Sequence, residues 1–280
     1  MKAKMKKGKK AWEGVFEIPI QERFSKPRTI GWTMVIDKGL GIGQVTDLIA
    51  TASPYIDVIK LTFGTSAFFD YSLLKEKVRL ITRAGVYCMP GGTFQEVAVW
   101  QGTFDKYLDR ARELGFNVIE ISDGTIEMDS GTRREVITKA VKAGFKVITE
   151  VGKKDPREAL SMRTMAEEVE ADLSLGAFMV IVEAREAGKG VGIYDTAGVP
   201  KDEAIEEILQ GVKDPTRLMW EAPLPSQQRF LILKFGTNVN LGNVAPEDIL
   251  ALEALRCGLR GDTLKKAWMA DKEFKARKGG

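Results

Sequence analysis

The sequence has no histidine among its 280 residues. That excludes a histidine general base, a phosphohistidine, a Ser-His-Asp or Cys-His relay, and any histidine-ligated zinc or iron. Cysteine is nearly as scarce. Cys88 and Cys257, 169 positions apart, are too few for a disulfide framework or a cysteine-only zinc site, and they fit a reducing, cytoplasmic setting. No apolar run reaches the roughly 18 residues of a membrane span. The basic start MKAKMKKGKK leads into AWEGVFEIP, not into the apolar stretch of a signal peptide. Chemistry is left to carboxylates, lysines, arginines and backbone amides.

What is present is globular in character, 44% hydrophobic and 29% charged. The net charge of +3 (42 minus 39) hides an asymmetry. Six lysines and no acid lie in the first ten residues, so the remaining body is −3. Such a start reads as a solvated terminus, not as a nucleic-acid surface. The expected organisation is a basic, partly mobile extension over residues 1–30, one catalytic domain over 31–270, and a charged tail over 271–280.

Seven short apolar, β-rich runs recur between helical stretches: GWTMVIDKG, YIDVIKLTFG, GVYCMPGG, FNVIEISDG, FKVITEVGKK, AFMVIVEARE and TRLMWEAP. They start 24 to 39 residues apart, the length of a strand, a helix and two loops. Apolar residues on both parities, as at Val118, Ile119 and Ile121, indicate strands covered on both faces, and hence a parallel sheet with helices outside. Thr93 to Glu96 reads as a capping box and Asp155-Pro156 as a helix start, while Gly115 and Gly144 end helices. RFLILKFG (229–236) would suit a strand by composition. A parallel crossover needs about a dozen residues, however, and Ala222 to Gln228 is too short, so the run is assigned to a helix capped by Ser226 and ended by Gly236. NVNLGN (238–243) then becomes the eighth strand, and a last helix opens with Pro246, Glu247 and Asp248. Eight βα units predict a (β/α)8 TIM barrel, with a doubly wound open sheet as the alternative.

In such a barrel the active site lies at the carboxyl ends of the strands. Those ends carry Asp37 and Lys38, then Lys60, Pro90-Gly91-Gly92, Glu120 with Ser122 and Asp123, Glu150 with Lys153 and Lys154, Glu183 with Arg185, Glu221, and finally Gly242 and Asn243. Strand alternation predicts that Glu120 with Ser122, Glu183 with Arg185, and Thr33 with Asp37 point inward. Carboxylates gathered at one mouth repel one another unless cations lie among them. Lys38, Lys60, Lys153, Lys154, Arg185 and Lys189 supply part of that charge. Oxygen ligands without histidine favour Mg²⁺ for the rest. The Gly-rich stretch GKGVGIYD (188–195) and the GTS turn (64–66) suit an oxyanion, though each also reads as a plain tight turn. Trp32, Trp100 and Trp220 are expected to serve packing, and Cys88 to be a small buried hydrophobe.

At these same residues the chain resembles the phosphosulfolactate synthase family. The segments TMVIDKGLG, VIKLTFGTS, PGGT, IEISDG, TEVGKK, VEAREAGKGVGIYD, EAPLPSQQ, LKFGTNVNLGN and LEALRCGLRGDT carry the likeness from Thr33 to Thr263. The resemblance implies a (β/α)8 barrel that adds sulfite to phosphoenolpyruvate with Mg²⁺, giving (2R)-phospho-3-sulfolactate, on the way to coenzyme M or to sulfolactate. It implies Lys154 as general acid, with its neighbour Lys153 and partial burial expected to lower its pKa. Lys38, Lys60, Arg185, Lys189, Gly242 and Asn243 make up the expected substrate-binding set. Asp37, Glu120, Asp123, Glu150 and Glu183 are the candidate metal ligands. The partners expected are small anions and further copies of the chain, with no nucleic acid and no membrane. Three other readings compete: a phosphoenolpyruvate enzyme using another nucleophile, a Schiff-base aldolase, and a stress-associated relative without catalysis, whose mark would be lost rim charges.

Overall fold

The computed structural model describes residues 9–184, 187–190 and 192–278. The apolar runs become strands and the amphipathic stretches between them become helices. In chain order these are β1 (Thr33–Asp37), α1 (Ile42–Ala52), β2 (Val58–Leu61), α2 (Tyr71–Arg83), β3 (Tyr87–Met89), α3 (Gly92–Trp100), α4 (Phe104–Leu114), β4 (Val118–Ile121), α5 (Ser130–Lys142), β5 (Lys146–Val151), α6 (Met162–Ser174), β6 (Met179–Val182), α7 (Asp202–Gly211), β7 (Leu218–Glu221), α8 (Pro225–Phe235), β8 (Leu241–Val244), α9 (Ile249–Arg256) and α10 (Gly261–Lys278). The strands pair in parallel in the order β3-β2-β1-β8-β7-β6-β5-β4. Between β3 and β4 the edges are joined by two bonds: Asn117 N–H to the Cys88 carbonyl at 3.3 Å, and Cys88 N–H to the Asn117 amide oxygen at 2.9 Å. The architecture is a (β/α)8 barrel.

Both strand faces are buried, and they sort by parity into two apolar layers. Val35, Ile59, Leu61, Ile119, Val147 and Val180 pack outward under the helices. Met34, Val58, Met89, Val118, Ile148, Met179 and Met219 fill the barrel interior. The interior layer is closed at its amino end by Trp32, stacked on Tyr87 at 5.4 Å and tilted against Phe178 at 4.9 Å. The Lys146 ammonium sits 3.5 Å from the Phe178 ring centre and adds a cation–π contact. Residues ahead of β1 strap this end down: Ile20 N–H bonds the Cys257 carbonyl, Arg23 pairs with Glu253 at 3.1 Å, and Arg28 pairs with Asp57 at 2.8 Å.

Several local expectations change. RFLILKFG is helical, as the short crossover requires, and Gly236 ends α8 with φ 89°. Ser226 does not cap it, because Pro225 already occupies the first helical position and the Gln227 amide oxygen accepts from Leu224 N–H at 3.1 Å. The Thr93–Glu96 box does not form either. α3 begins at Gly92, and Glu96 turns inward, where it is buried. Trp220 stacks in the outer layer on Phe235 at 5.7 Å, whereas Trp100 is 73% exposed and packs little.

The parity expected for β1 is also corrected. Met34 points into the barrel and Ile36 lines the cavity above it, so Thr33 and Asp37 face the helices. Asp37 accepts from the Gly39 and Leu40 amides at 2.8 and 2.7 Å and pairs with Lys77 of α2 at 2.7 Å, both side chains being buried. Removing one partner of a buried pair strands the other charge. Lys77→Met is therefore expected to destabilise the barrel by about 3–5 kcal/mol, read as a lower urea midpoint, and adding Asp37→Asn should recover part of the loss.

Candidate active site

A cavity of about 210 Å³ opens at the carboxyl ends of the strands. Its walls are Ile36, Lys60, Thr62, Phe63, the Gly91–Thr93 turn, Glu120, Thr125, Glu150, Lys154, Glu183, Glu221 and Asn243. The charged members come from β2, β4, β5 and β7 by inward parity and from just beyond β5 and β6, directly above the methionine-rich interior layer. Two glycines allow the close packing. A Cβ on Gly92 would lie 2.6 Å from the Ser122 Cβ and 3.0 Å from a Glu120 oxygen, and one on Gly192 would lie 2.4 Å from the Glu183 carbonyl oxygen.

Two ammonium groups organise the acids. Lys60 Nζ lies 3.2 Å from Glu221, 3.3 Å from Glu120 and 3.7 Å from Glu150. Lys154 Nζ lies 3.0 Å from Glu150, 3.5 Å from Glu183 and 3.6 Å from Glu96. The Ser122 hydroxyl sits between Glu150 at 2.9 Å and Glu96 at 3.1 Å. The second Glu221 oxygen accepts from Ala184 N–H at 2.9 Å, which holds that side chain in place.

Burial pushes the Glu120 carboxyl up to about 8, with the Glu150 charge adding and Lys60 opposing. Burial and the charges of Glu150 and Glu221 hold Glu183 well above the usual carboxylate range. Glu150 goes the other way: burial works against its ionisation, but Lys154 and Lys60 keep it well below that range. For both lysines burial favours the neutral amine, yet the surrounding carboxylates win and raise each pKa. The expected lowering at Lys154 is thereby reversed. Lys153, which was to cause it, turns away, and Glu150, Glu183 and Glu96 take its place.

Five carboxyls (Glu96, Glu120, Glu150, Glu183, Glu221) against two lysines leave an excess of up to three negative charges when all are ionised. Glu150, Glu183 and Glu221 each offer an oxygen, all within 4.8 Å of one another and all buried. Glu120 Oε2 is buried and has no hydrogen-bond partner among the described residues. An excess of hard oxygen donors around one point suits a hard divalent cation.

Of the residues singled out from sequence, Lys60, Glu120, Glu150, Lys154, Glu183 and Asn243 line this cavity. Asn243 sits there with φ 53° and a buried Oδ1 that has no hydrogen-bond partner among the described residues. Others are placed elsewhere. Asp37 is bound behind β1. Asp123 faces α5, paired with Arg133 at 2.9 Å and with Lys153 at 3.1 Å, so neither it nor Lys153 enters the cavity. Gly242 is below it, where a Cβ would meet Met34 at 2.9 Å. Lys38 is exposed at the rim, 6.0 Å from the Phe63 ring centre, and Lys189 is exposed in the loop after β6. Arg185 lies outside the described residues.

Glu221 and Glu96 are the additions. Glu221 stood at a strand end with the right parity. Glu96 comes from a helix, where strand-end logic cannot find it and the capping pattern pointed to another role. Its second oxygen accepts from the Thr125 and Ile126 amides at 2.9 and 2.8 Å, which ties the loop after β4 across the site. In Glu96→Ala, exchange of those two amide hydrogens should accelerate by about tenfold or more, as measured by hydrogen–deuterium exchange.

A family profile described as (2R)-phospho-3-sulfolactate synthase (ComA) matches residues 21–262. The chain belongs to the phosphosulfolactate synthase family. It is 43% identical over 253 residues to the phosphosulfolactate synthase of Methanothermobacter thermautotrophicus, covering 90% of this chain and 98% of that one. To the phosphosulfolactate synthase of Bacillus subtilis it is 36% identical over 252 residues, covering 89% and 98%. Among solved structures, 3-hexulose-6-phosphate synthase from Salmonella typhimurium superposes with a TM-score of 0.54 at 13% identity, covering 82% of this chain and 100% of that one, a likeness of fold alone. Membership in the phosphosulfolactate synthase family makes the chain an enzyme of the carbon–sulfur lyase type. The family match begins within the segment that straps the barrel floor, at residue 21, earlier than the sequence motifs had placed it.

Proposed function

We propose that this cavity joins sulfite to phosphoenolpyruvate in a Mg²⁺-dependent reaction and releases (2R)-phospho-3-sulfolactate. The observation that carries the reading is the cluster of Glu150, Glu183 and Glu221 with Lys60 and Lys154 threaded through it, in a chain of this family. Glu150, Glu183 and Glu221 would hold the cation, with Glu120 beside them. When bound there, Mg²⁺ supplies Lewis-acid stabilisation for negative charge gathering on the substrate carboxylate.

The chain's own groups account for the remaining steps. Lys60 and Lys154, fully protonated among the acids, offset the repulsion between two anionic substrates and align them. Sulfite forms a C–S bond to the methylene carbon as the carbon–carbon π bond breaks, and its electron pair moves toward the carboxylate. The adjacent carbon then takes a proton. Lys154 is the donor we assign, since its half-buried side chain lines one wall of the cavity and the chain has no histidine to compete for the role. The raised pKa keeps Lys154 protonated until this step, and the carbanion-like carbon of an enediolate is still a stronger base than an amine. It also argues against a Schiff-base aldolase, which needs a neutral, nucleophilic lysine. We place the reaction in the cytoplasm, where two unpaired thiols, Cys88 and Cys257, are at home. No described helix is long and apolar enough to cross a membrane.

The direct test is sulfite consumption with phosphoenolpyruvate, with and without Mg²⁺ and EDTA. Turnover that needs both substrates and is abolished by EDTA is expected, whereas a flat trace in every condition rejects the reading. Substituting other small oxyanions in the same assay separates sulfite from a different nucleophile. Lys154→Met should leave phosphoenolpyruvate binding nearly intact and lower kcat by about 10²- to 10⁴-fold, and full activity in that variant removes Lys154 from the role. Glu183→Gln and Glu221→Gln should each weaken Mg²⁺ binding in calorimetry by about 100-fold, with no assay of turnover needed.

A further inference from the structure

The mouth of the cavity carries a backbone feature that folding alone does not ask for. Directly after β2, Thr62 to Thr65 form a turn in which the Thr65 N–H and hydroxyl both donate to the Thr62 carbonyl, at 3.1 and 2.9 Å. Both central residues have positive φ, Phe63 at 57° and Gly64 at 65°. Two positive φ angles are the type I′ pattern, whose central positions ordinarily go to Gly, Asn or Asp. A bulky side chain there brings its Cβ against the backbone and is an outlier. Gly64 follows the rule and Phe63 breaks it.

Burial does not repay the strain, since Phe63 is 53% exposed. Its position is informative. Among the described residues the non-glycine positions with positive φ are Phe63 and Asn243, and both line the same cavity. Strained residues persist where the surroundings enforce them, and they gather at ligand clamps. Apart from Ile36, which is buried, Phe63 is the one large apolar side chain in a lining otherwise made of charged groups, polar groups and glycine. The exposed Lys38 ammonium lies 6.0 Å from its ring centre.

We propose that Phe63 is the specificity-determining residue of this pocket: its ring lies against the unsubstituted methylene end of a three-carbon enol phosphate and leaves no room for a substituent there. The proposal rests on phosphoenolpyruvate being the substrate. Charged and polar walls recognise the carboxylate and the phosphate, which every enol phosphate of this type shares. The methylene carbon is the one apolar part, and only an apolar wall in contact with it can tell C–H from C–CH₃. A single methyl group excluded in this way changes affinity by about 10- to 200-fold.

The experiment measures calorimetric affinity, with Mg²⁺ present, for phosphoenolpyruvate and for its 3-methyl analogue, (Z)-phosphoenol-2-oxobutyrate. Wild type, Phe63→Gly and Phe63→Tyr are compared, each with its thermal midpoint. Wild type and Phe63→Tyr should prefer phosphoenolpyruvate by about tenfold or more. Phe63→Gly should bind the two ligands within about twofold of each other, near the lower limit of single-methylene discrimination or below it. Its thermal midpoint should be no lower than that of wild type, because glycine accepts the positive φ without strain. A Phe63→Gly variant that keeps the wild-type preference overturns the proposal, whether it binds both ligands as well as before or more weakly by the same factor. A large fall in thermal midpoint with the preference unchanged would mark Phe63 as a packing residue and overturns it equally. If wild type binds neither ligand, the substrate reading itself fails. If wild type binds phosphoenolpyruvate and only the preference ratio fails to move, that reading stands and the assignment of Phe63 alone falls.

Discussion

The barrel mouth is held together by two ammonium groups in contact with more acids than they can neutralise. Lys60 reaches Glu120, Glu150 and Glu221 from β2, and Lys154 reaches Glu96, Glu150 and Glu183 from beyond β5, so Glu150 is shared by both. At low dielectric such a cluster is stable only if its charges are matched in place, because an unmatched buried charge costs several kcal/mol. The pattern of perturbation follows from that sharing. Glu150, between the two cations, stays ionised most easily, while Glu120 and Glu183 at the flanks resist ionisation. Around that balance, oxygens of Glu150, Glu183 and Glu221 converge to within 4.8 Å of one another.

The rest of the architecture serves this arrangement. Below it the interior is filled by Met34, Met89, Met179 and Met219, flexible side chains that conform to whatever the polar layer demands. Behind it, the charges that do not belong to the cavity are neutralised separately: Asp37 by Lys77, and Asp123 and Asp172 by Arg133. Those outer pairs anchor the loops after β1 and β4. Through Lys153 bonding Asp123, they also anchor the loop that presents Lys154. Electrostatic matching outside the barrel thus positions the mismatch inside it.

Much of this was legible because βα alternation has a strong periodic signature and because strand ends are easy to locate. Even RFLILKFG, which composition alone would make a strand, was resolved by the length of chain a parallel crossover needs. What the sequence concealed was parity over short distances. Asp37 follows Thr33 by an even step, yet Met34 and Ile36 occupy the inner face, so one residue of register sends the acid to the helices. Asp123 and Lys153 fail for the same reason, each lying one position from a true member of the site. Glu96 was hidden differently. A carboxyl on a helix can cap its own amino end or reach across to another loop, and only the position of Gly92 under Ser122 decides between them.

The missing histidine bears on the chemistry through this same cluster. An imidazole would bring a proton near neutral pH with little help from its surroundings, whereas a lysine must be kept buried, charged and aimed. The acids around Lys154 keep it charged and hold it in place, and oxygens of three of the five lie within 4.8 Å of one another. A group that neutralised those acids would weaken the hold on the Lys154 proton at the moment the site is loaded. In a protein without histidine, surrounding carboxylates can keep a lysine charged as the proton carrier, and no side chain that titrates near pH 7 is needed.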